Sequence, residues 1–169
     1  SADVWWHRRL FRVDEDGRPE AVAGVPPDYF SAEGQLWGNP LYDWDAMRAE
    51  GYRWWVDRVR AHLRWFDHLR IDHFRGLAAG GRSCVVRAGA LGGGSALRPI
   101  HRCGVREAYW QLPVGARSAR EGSWQSAPGA ELLAALGNAC GGHPFLAEDL
   151  GTITPEVHAL RQRFGLPGM

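Results

Sequence analysis

The sequence predicts a parallel α/β fold, and three observations carry the prediction. Segments with helical apolar spacing alternate with short apolar runs, which is the rhythm of strand and helix in a parallel sheet. Two of the short runs end at a carboxylate, Asp72 after one and Glu148 after the other, and in barrels of this class chemistry collects at the C-terminal ends of strands. The chain has 169 residues, 23% of them charged, with formal net charge +1, which suits one ordinary domain with a buried core.

Taken in order, residues 1–44 read as a long, structured loop region. Pro19, Gly24, Pro26, Pro27, Gly34, Gly38 and Pro40 recur through it, and no apolar period persists. From Asp45 the pattern changes. Tyr52, Trp55, Val56, Val59, Leu63 and Phe66 repeat at the spacing of one helix face, which predicts a helix over about 45–67. Leu69 to Asp72 follow as a brief buried strand that meets Gly76. Residues 78–106 carry seven glycines and five arginines with no acid, and are expected to be an insertion outside the packed fold. A helix over about 130–139 (Leu132, Leu133, Leu136) and a strand over 144–147 come next. Thr154 as N-cap and Pro155 at the first helical position then start a helix reaching about Phe164.

Composition narrows the function classes. The balanced charge points to neither nucleic acid nor membrane, no apolar run of about 18 residues exists, and no secretory leader pattern stands at the start. The expected compartment is the cytoplasm. Cys84, Cys103 and Cys140 form no even framework and no metal-binding spacing. The chain starts at Ser1 and all 20 basic residues are arginine; it is expected to be a piece of a longer protein.

Two carboxylates from different strands at one mouth are what glycosidic bond cleavage needs. Singly, each is better explained by a salt bridge or a helix cap. Nine tryptophans in 169 residues add weight, because flat indole faces stack on glucose rings. Trp54, Trp55 and Trp65 belong to the predicted helix, where packing explains them better. Trp37, Trp110 and Trp124 fall among Gly and Pro, where binding and packing are equally open. His73 has no second histidine at ligand spacing, so a hydrogen-bonding role is favoured over a metal. Gly92-Gly93-Gly94 lacks the residues of a phosphate loop.

The run Ala23-Gly24-Val25-Pro26-Pro27-Asp28-Tyr29-Phe30-Ser31, continued by Gly34-Gln35-Leu36-Trp37-Gly38-Asn39-Pro40-Leu41-Tyr42, resembles the signature loop of 4-alpha-glucanotransferases (amylomaltases). Arg70-Ile71-Asp72-His73-Phe74-Arg75-Gly76 resembles the family's nucleophile segment, and Ala147-Glu148-Asp149-Leu150-Gly151 its acid/base segment. Ala108-Tyr109-Trp110 and Phe164-Gly165-Leu166-Pro167-Gly168-Met169 match further segments in the family's order.

The resemblance implies a partial (β/α)8 TIM barrel of the alpha-amylase type, incomplete at both ends, since a closed barrel needs roughly 250 residues. It implies Asp72 as nucleophile, Glu148 as general acid/base and Arg70 as support for the nucleophile. Substrate contacts are implied for Tyr29, Phe30, Trp37, Asn39, His73, Trp110 and Asp149, with residues 1–44 covering the substrate. The implied reaction is transfer of an α-1,4-glucan segment to the 4-hydroxyl of glucose or another glucan by a retaining double displacement. The partners are maltooligosaccharides with glucose as acceptor, and neither cofactor nor metal is expected. A third catalytic aspartate is expected beyond Met169, and this chain alone is expected to be inactive. A non-catalytic glucan-binding remnant and a related α-glucan hydrolase remain the alternatives.

Overall fold

The computed structural model describes residues 2–77, 109–150 and 153–169. Its elements are α1 (Ala2–Trp6), β1 (Ala21–Val25), β2 (Gln35–Pro40), α2 (Trp44–Ala49), α3 (Arg53–Leu63), β3 (Leu69–Ile71), β4 (Tyr109–Pro113), β5 (Ser123–Gln125), α4 (Gly129–Cys140), β6 (Phe145–Ala147) and α5 (Pro155–Arg163). The expected insertion, with Cys84 and Cys103, lies outside the described residues.

The parallel part follows the predicted rhythm. β3 and β6 pair in parallel, Leu69 against Phe145 and Ile71 against Ala147. On the other side of β6, the Ala147 amide donates to the Pro167 carbonyl at 2.9 Å, and Ala147 forms a parallel bridge to Gly168. The apolar positions read from the sequence make the core here. Val56 and Val59 of α3, Leu132, Leu133 and Leu136 of α4, and Phe145 and Ala147 of β6 are buried in one cluster with Phe74 and Val157. Burying a side chain of the size of Phe74 or Phe145 contributes about 1.5–3 kcal/mol.

Four expectations are corrected. Residues 1–44 are not loop throughout: β1 and β2 form an antiparallel hairpin that joins β4 and β5 in a sheet of order β2-β1-β4-β5. The signal was hidden because β1 pairs on one side with β4, far along the chain, and because its neighbour on the other side, β2, is an exposed edge without apolar alternation. Trp37, Trp110 and Trp124 consequently stand on strands.

The helix predicted over 45–67 is two helices. Asp43 caps α2 by accepting from the Asp45 and Ala46 amides. The chain then turns through Gly51 and Tyr52, at φ of 62° and 58°, and the Tyr52 amide closes the turn on the Met47 carbonyl at 2.8 Å. α3 stops at Leu63, so Trp65 lies past the helix and is 82% exposed instead of packed. Thr154 holds the N-cap position of α5 with Pro155 first in the helix, but its hydroxyl makes no cap hydrogen bond.

Candidate active site

Both candidate acids stand one residue past a strand, Asp72 after β3 and Glu148 after β6, at the same end of adjacent parallel strands. Three hydrogen bonds join the two segments. The Glu148 amide donates to the Ile71 carbonyl at 3.0 Å, and the Phe74 amide to the Glu148 carbonyl at 3.2 Å. The His73 amide donates to Glu148 Oε2 at 2.6 Å. Register alone would bring the acids to one end of the sheet; these bonds also fix the Glu148 backbone and side chain against the turn after Asp72.

Arg70 precedes Asp72 by two residues and so shares its strand face. Its Nε lies 2.5 Å from Asp72 Oδ1, and the two side chains are 49% and 67% exposed. At that exposure the pair is screened, and its value lies in keeping a positive charge beside Asp72 more than in stability.

His73 has φ of 49°, a left-handed backbone outside glycine. Burial holds its imidazole below the usual pKa, Arg75 lowers it further and Glu148 opposes the shift. Its ring meets Trp37 of β2 in a T-shaped contact, centroids 5.2 Å apart. Trp37 gets there through a bulge: the register slips between Val22–Pro40 and Gly24–Leu36, leaving Trp37, Gly38 and Asn39 opposite Ala23. Gly38 sits in the bulge at φ of 73°, where a side chain would be strained.

The β1–β2 connection presents Tyr29 and Phe30, 72% and 68% exposed, with ring centroids 4.1 Å apart. The connection is braced from within. Asp28 Oδ1 accepts from the Phe30 and Ser31 amides, and the Ser31 hydroxyl donates to the Gly34 carbonyl. Arg120 reaches across from beyond β4 to the Ala32 carbonyl at 2.9 Å and to Glu33.

Two of the other three expected contacts are engaged elsewhere. Trp110 donates its indole N–H to the Ala119 carbonyl at 2.8 Å and packs edge-on against Trp124. Asp149 pairs with Arg161 at 3.1 Å and accepts from the Met169 amide at 3.0 Å. Asn39 is exposed on β2. Sequence reasoning missed Arg75, whose guanidinium lies 4.2 Å from the centre of a Trp124 ring. Arginine in a segment rich in arginine carried no signal for it.

Thus both outer strands of the antiparallel sheet touch the turn that follows Asp72, β2 through Trp37 and β5 through Trp124. Over residues 1–80 and 95–169 the sequence matches the family model described as 4-alpha-glucanotransferase. The chain belongs to the 4-alpha-glucanotransferase family. The unmatched residues 81–94 fall within the stretch expected to be an insertion. Curated 4-alpha-glucanotransferases from Thermus thermophilus and Synechocystis are 47% and 46% identical over the whole chain, which spans 28% of each. A chloroplastic/amyloplastic family member from Arabidopsis thaliana is 40% identical, with 24% of its length spanned. Among solved structures, an amylomaltase from Streptococcus agalactiae in complex with acarbose superposes on the whole chain with TM-score 0.79 at 37% identity, and 28% of that chain is covered. A Corynebacterium glutamicum amylomaltase shares the fold at TM-score 0.69 and 22% identity.

Among the described residues no group of three or more His, Cys, Asp or Glu could hold a metal ion, and no helix is long and apolar enough to cross a membrane. The candidate site gathers two carboxylates, an arginine and exposed aromatic rings.

Proposed function

We propose that this chain carries the nucleophile and the acid/base of a retaining α-1,4-glucan transferase. The observation that supports this most directly is the placing of Asp72 and Glu148 at the same end of adjacent, in-register parallel strands in a chain of this family. In the first step an Asp72 oxygen attacks the anomeric carbon, the glycosidic C–O bond breaks, and Glu148 gives its proton to the departing 4-oxygen. In the second, Glu148 takes the proton from the 4-hydroxyl of glucose or another glucan. That oxygen then displaces Asp72 with net retention. Arg70 holds its guanidinium against Asp72 Oδ1 and so orients the attacking carboxylate.

Tyr29, Phe30, Trp37 and Asn39 are the proposed glucan contacts on the covering segment. Their exposure in a braced hairpin supports stacking on sugar rings, and a held sugar hydroxyl outcompetes water by effective concentration. His73 would contact sugar from the same side, whereas Trp110 and Asp149 would act through the structure around the site. The architecture proposed is part of a (β/α)8 barrel. Its support is that β3, β6 and the Pro167–Gly168 segment follow one another in parallel, with α4 before β6 and α5 after it. The proposed compartment is the cytoplasm.

The test is a chimaera in which these residues replace the matching segment of the Thermus thermophilus relative, assayed for conversion of maltotriose into shorter and longer glucans. Asp72→Asn is expected to lower kcat by several orders of magnitude while glucan binding persists. Retention of more than about a tenth of the activity, a barrier change under about 1.4 kcal/mol, removes Asp72 as nucleophile. Release of glucose without longer products would make the reaction hydrolysis.

A further inference from the structure

We propose that His73 is a positioning residue for Glu148, acting through its backbone: the left-handed turn at His73 aims its amide N–H at the Glu148 carboxylate. The inference rests on the reading of Glu148 as acid/base given above.

Only Tyr52 and His73 adopt positive φ outside glycine among the described residues. Tyr52 is accounted for by the junction of α2 and α3, where its amide closes the turn on Met47. No such local bond explains His73. Its amide leaves its own turn and crosses to the neighbouring strand, where it meets Glu148 Oε2 at 2.6 Å. A costly backbone conformation persists when its surroundings hold it in place, and such residues cluster where strain serves a site. Here the surroundings are visible. The Gly76 amide donates to the His73 carbonyl at 2.8 Å, the Phe74 amide holds the Glu148 carbonyl, and Trp37 packs on the imidazole. The Glu148 amide is tied to Ile71, so the backbone of the acid segment is fixed by two bonds and its carboxylate by the third.

The same geometry separates the backbone of His73 from its ring. Asparagine and glycine accept the left-handed region, whereas a β-branched residue resists it. His73→Gly and His73→Asn keep the amide on Glu148, and His73→Val withdraws it. A carboxyl that has lost its aim fails mainly with natural glucan donors, whose leaving oxygen needs a proton. A maltooligosyl fluoride leaves without that help and is spared.

The experiment uses the chimaera described above with maltotriose and with a maltooligosyl fluoride as donors. All three variants lose the imidazole, so they are compared with one another: His73→Val is expected to fall about tenfold or more below His73→Gly and His73→Asn in kcat on maltotriose, while the three stay within about threefold of one another on the fluoride. Equal losses on both donors in His73→Val, or maltotriose losses in the Gly and Asn variants matching those of Val, overturn the assignment. In the 169-residue chain itself, the His73 amide proton is expected far downfield and to move upfield in Glu148→Ala; an unmoved resonance also overturns it. Glu148→Gln assayed alongside keeps the two readings apart. If that variant shows no preference for the fluoride, the acid/base reading fails; if it does and His73→Val does not, only the positioning role fails.

Discussion

The Tyr52 hydroxyl donates to Glu131 Oε2 at 3.0 Å, and Arg48 Nε reaches the same oxygen at 2.6 Å. Burial, and then the Glu131 contact, push the phenol up to about 12. The folded state therefore prefers the neutral phenol more strongly than the unfolded chain does. The stabilisation is fully present below the ordinary tyrosine pKa of about 10 and is lost as pH rises from there through about 12. Tyr52→Phe is expected to cost about 1 kcal/mol at neutral pH and to flatten the fall of melting temperature across that alkaline window. An unchanged slope in thermal melts would count against the bond. Gly168 makes a second residue-scale case: a Cβ there would run into the Arg161 guanidinium and the Asp149 carboxylate. Gly168→Ala is expected to destabilise by about 1–3 kcal/mol in urea unfolding, because a half-buried ion pair has to be pushed aside.

Among the elements, the antiparallel sheet serves as a clasp on the turn after Asp72. Its central strands β1 and β4 pair from Ala21–Pro113 to Gly24–Trp110, and its outer strands supply Trp37 and Trp124 to that turn. Trp124 is held in turn by its cross-strand partner Trp110. A double-mutant cycle between Arg75→Met and Trp124→Leu is expected to give a coupling of about 0.5–2 kcal/mol in the stabilising direction. Additive effects of the two changes would mean that the stacked guanidinium fastens nothing.

On the scale of the whole molecule, stability should be graded from the parallel pair outward. β6 is bonded on both sides, to β3 and to Pro167, and its Phe145 and Ala147 are among the most buried residues. β2 is an exposed edge. Hydrogen exchange followed by NMR is therefore expected to find the Ala147 amide among the slowest and the Trp37 to Asn39 amides among the fastest. Comparable protection at the two places would show that the sheet and the parallel core open as one unit.

Where a signal was local, the sequence was enough to read it. α4, β3 and β6 begin and end within one or two residues of their predicted bounds, because Leu132, Leu133 and Leu136 repeat at helix spacing and the strands are short apolar runs closed by Asp72 and Glu148. The same two acids, with Arg70, were legible as a candidate site from their place after those runs and from the family motifs. Pairing between distant segments was not legible. Nothing local in Ala21–Val25 announces a partner at Tyr109–Pro113, since backbone hydrogen bonds carry no side-chain pattern. The break at Gly51 and Tyr52 was missed because every residue of the apolar face read as helical, from Tyr52 to Phe66, lies at or beyond it, so the pattern carried no information about residues 45–51. The sequence by itself thus determined the candidate acids and the short strands that present them. Tertiary structure alone decided that the Glu148 carboxylate meets the His73 amide and that Trp37 and Trp124 close on the turn after Asp72, because these contacts depend on register, a bulge and a left-handed backbone set by distant partners.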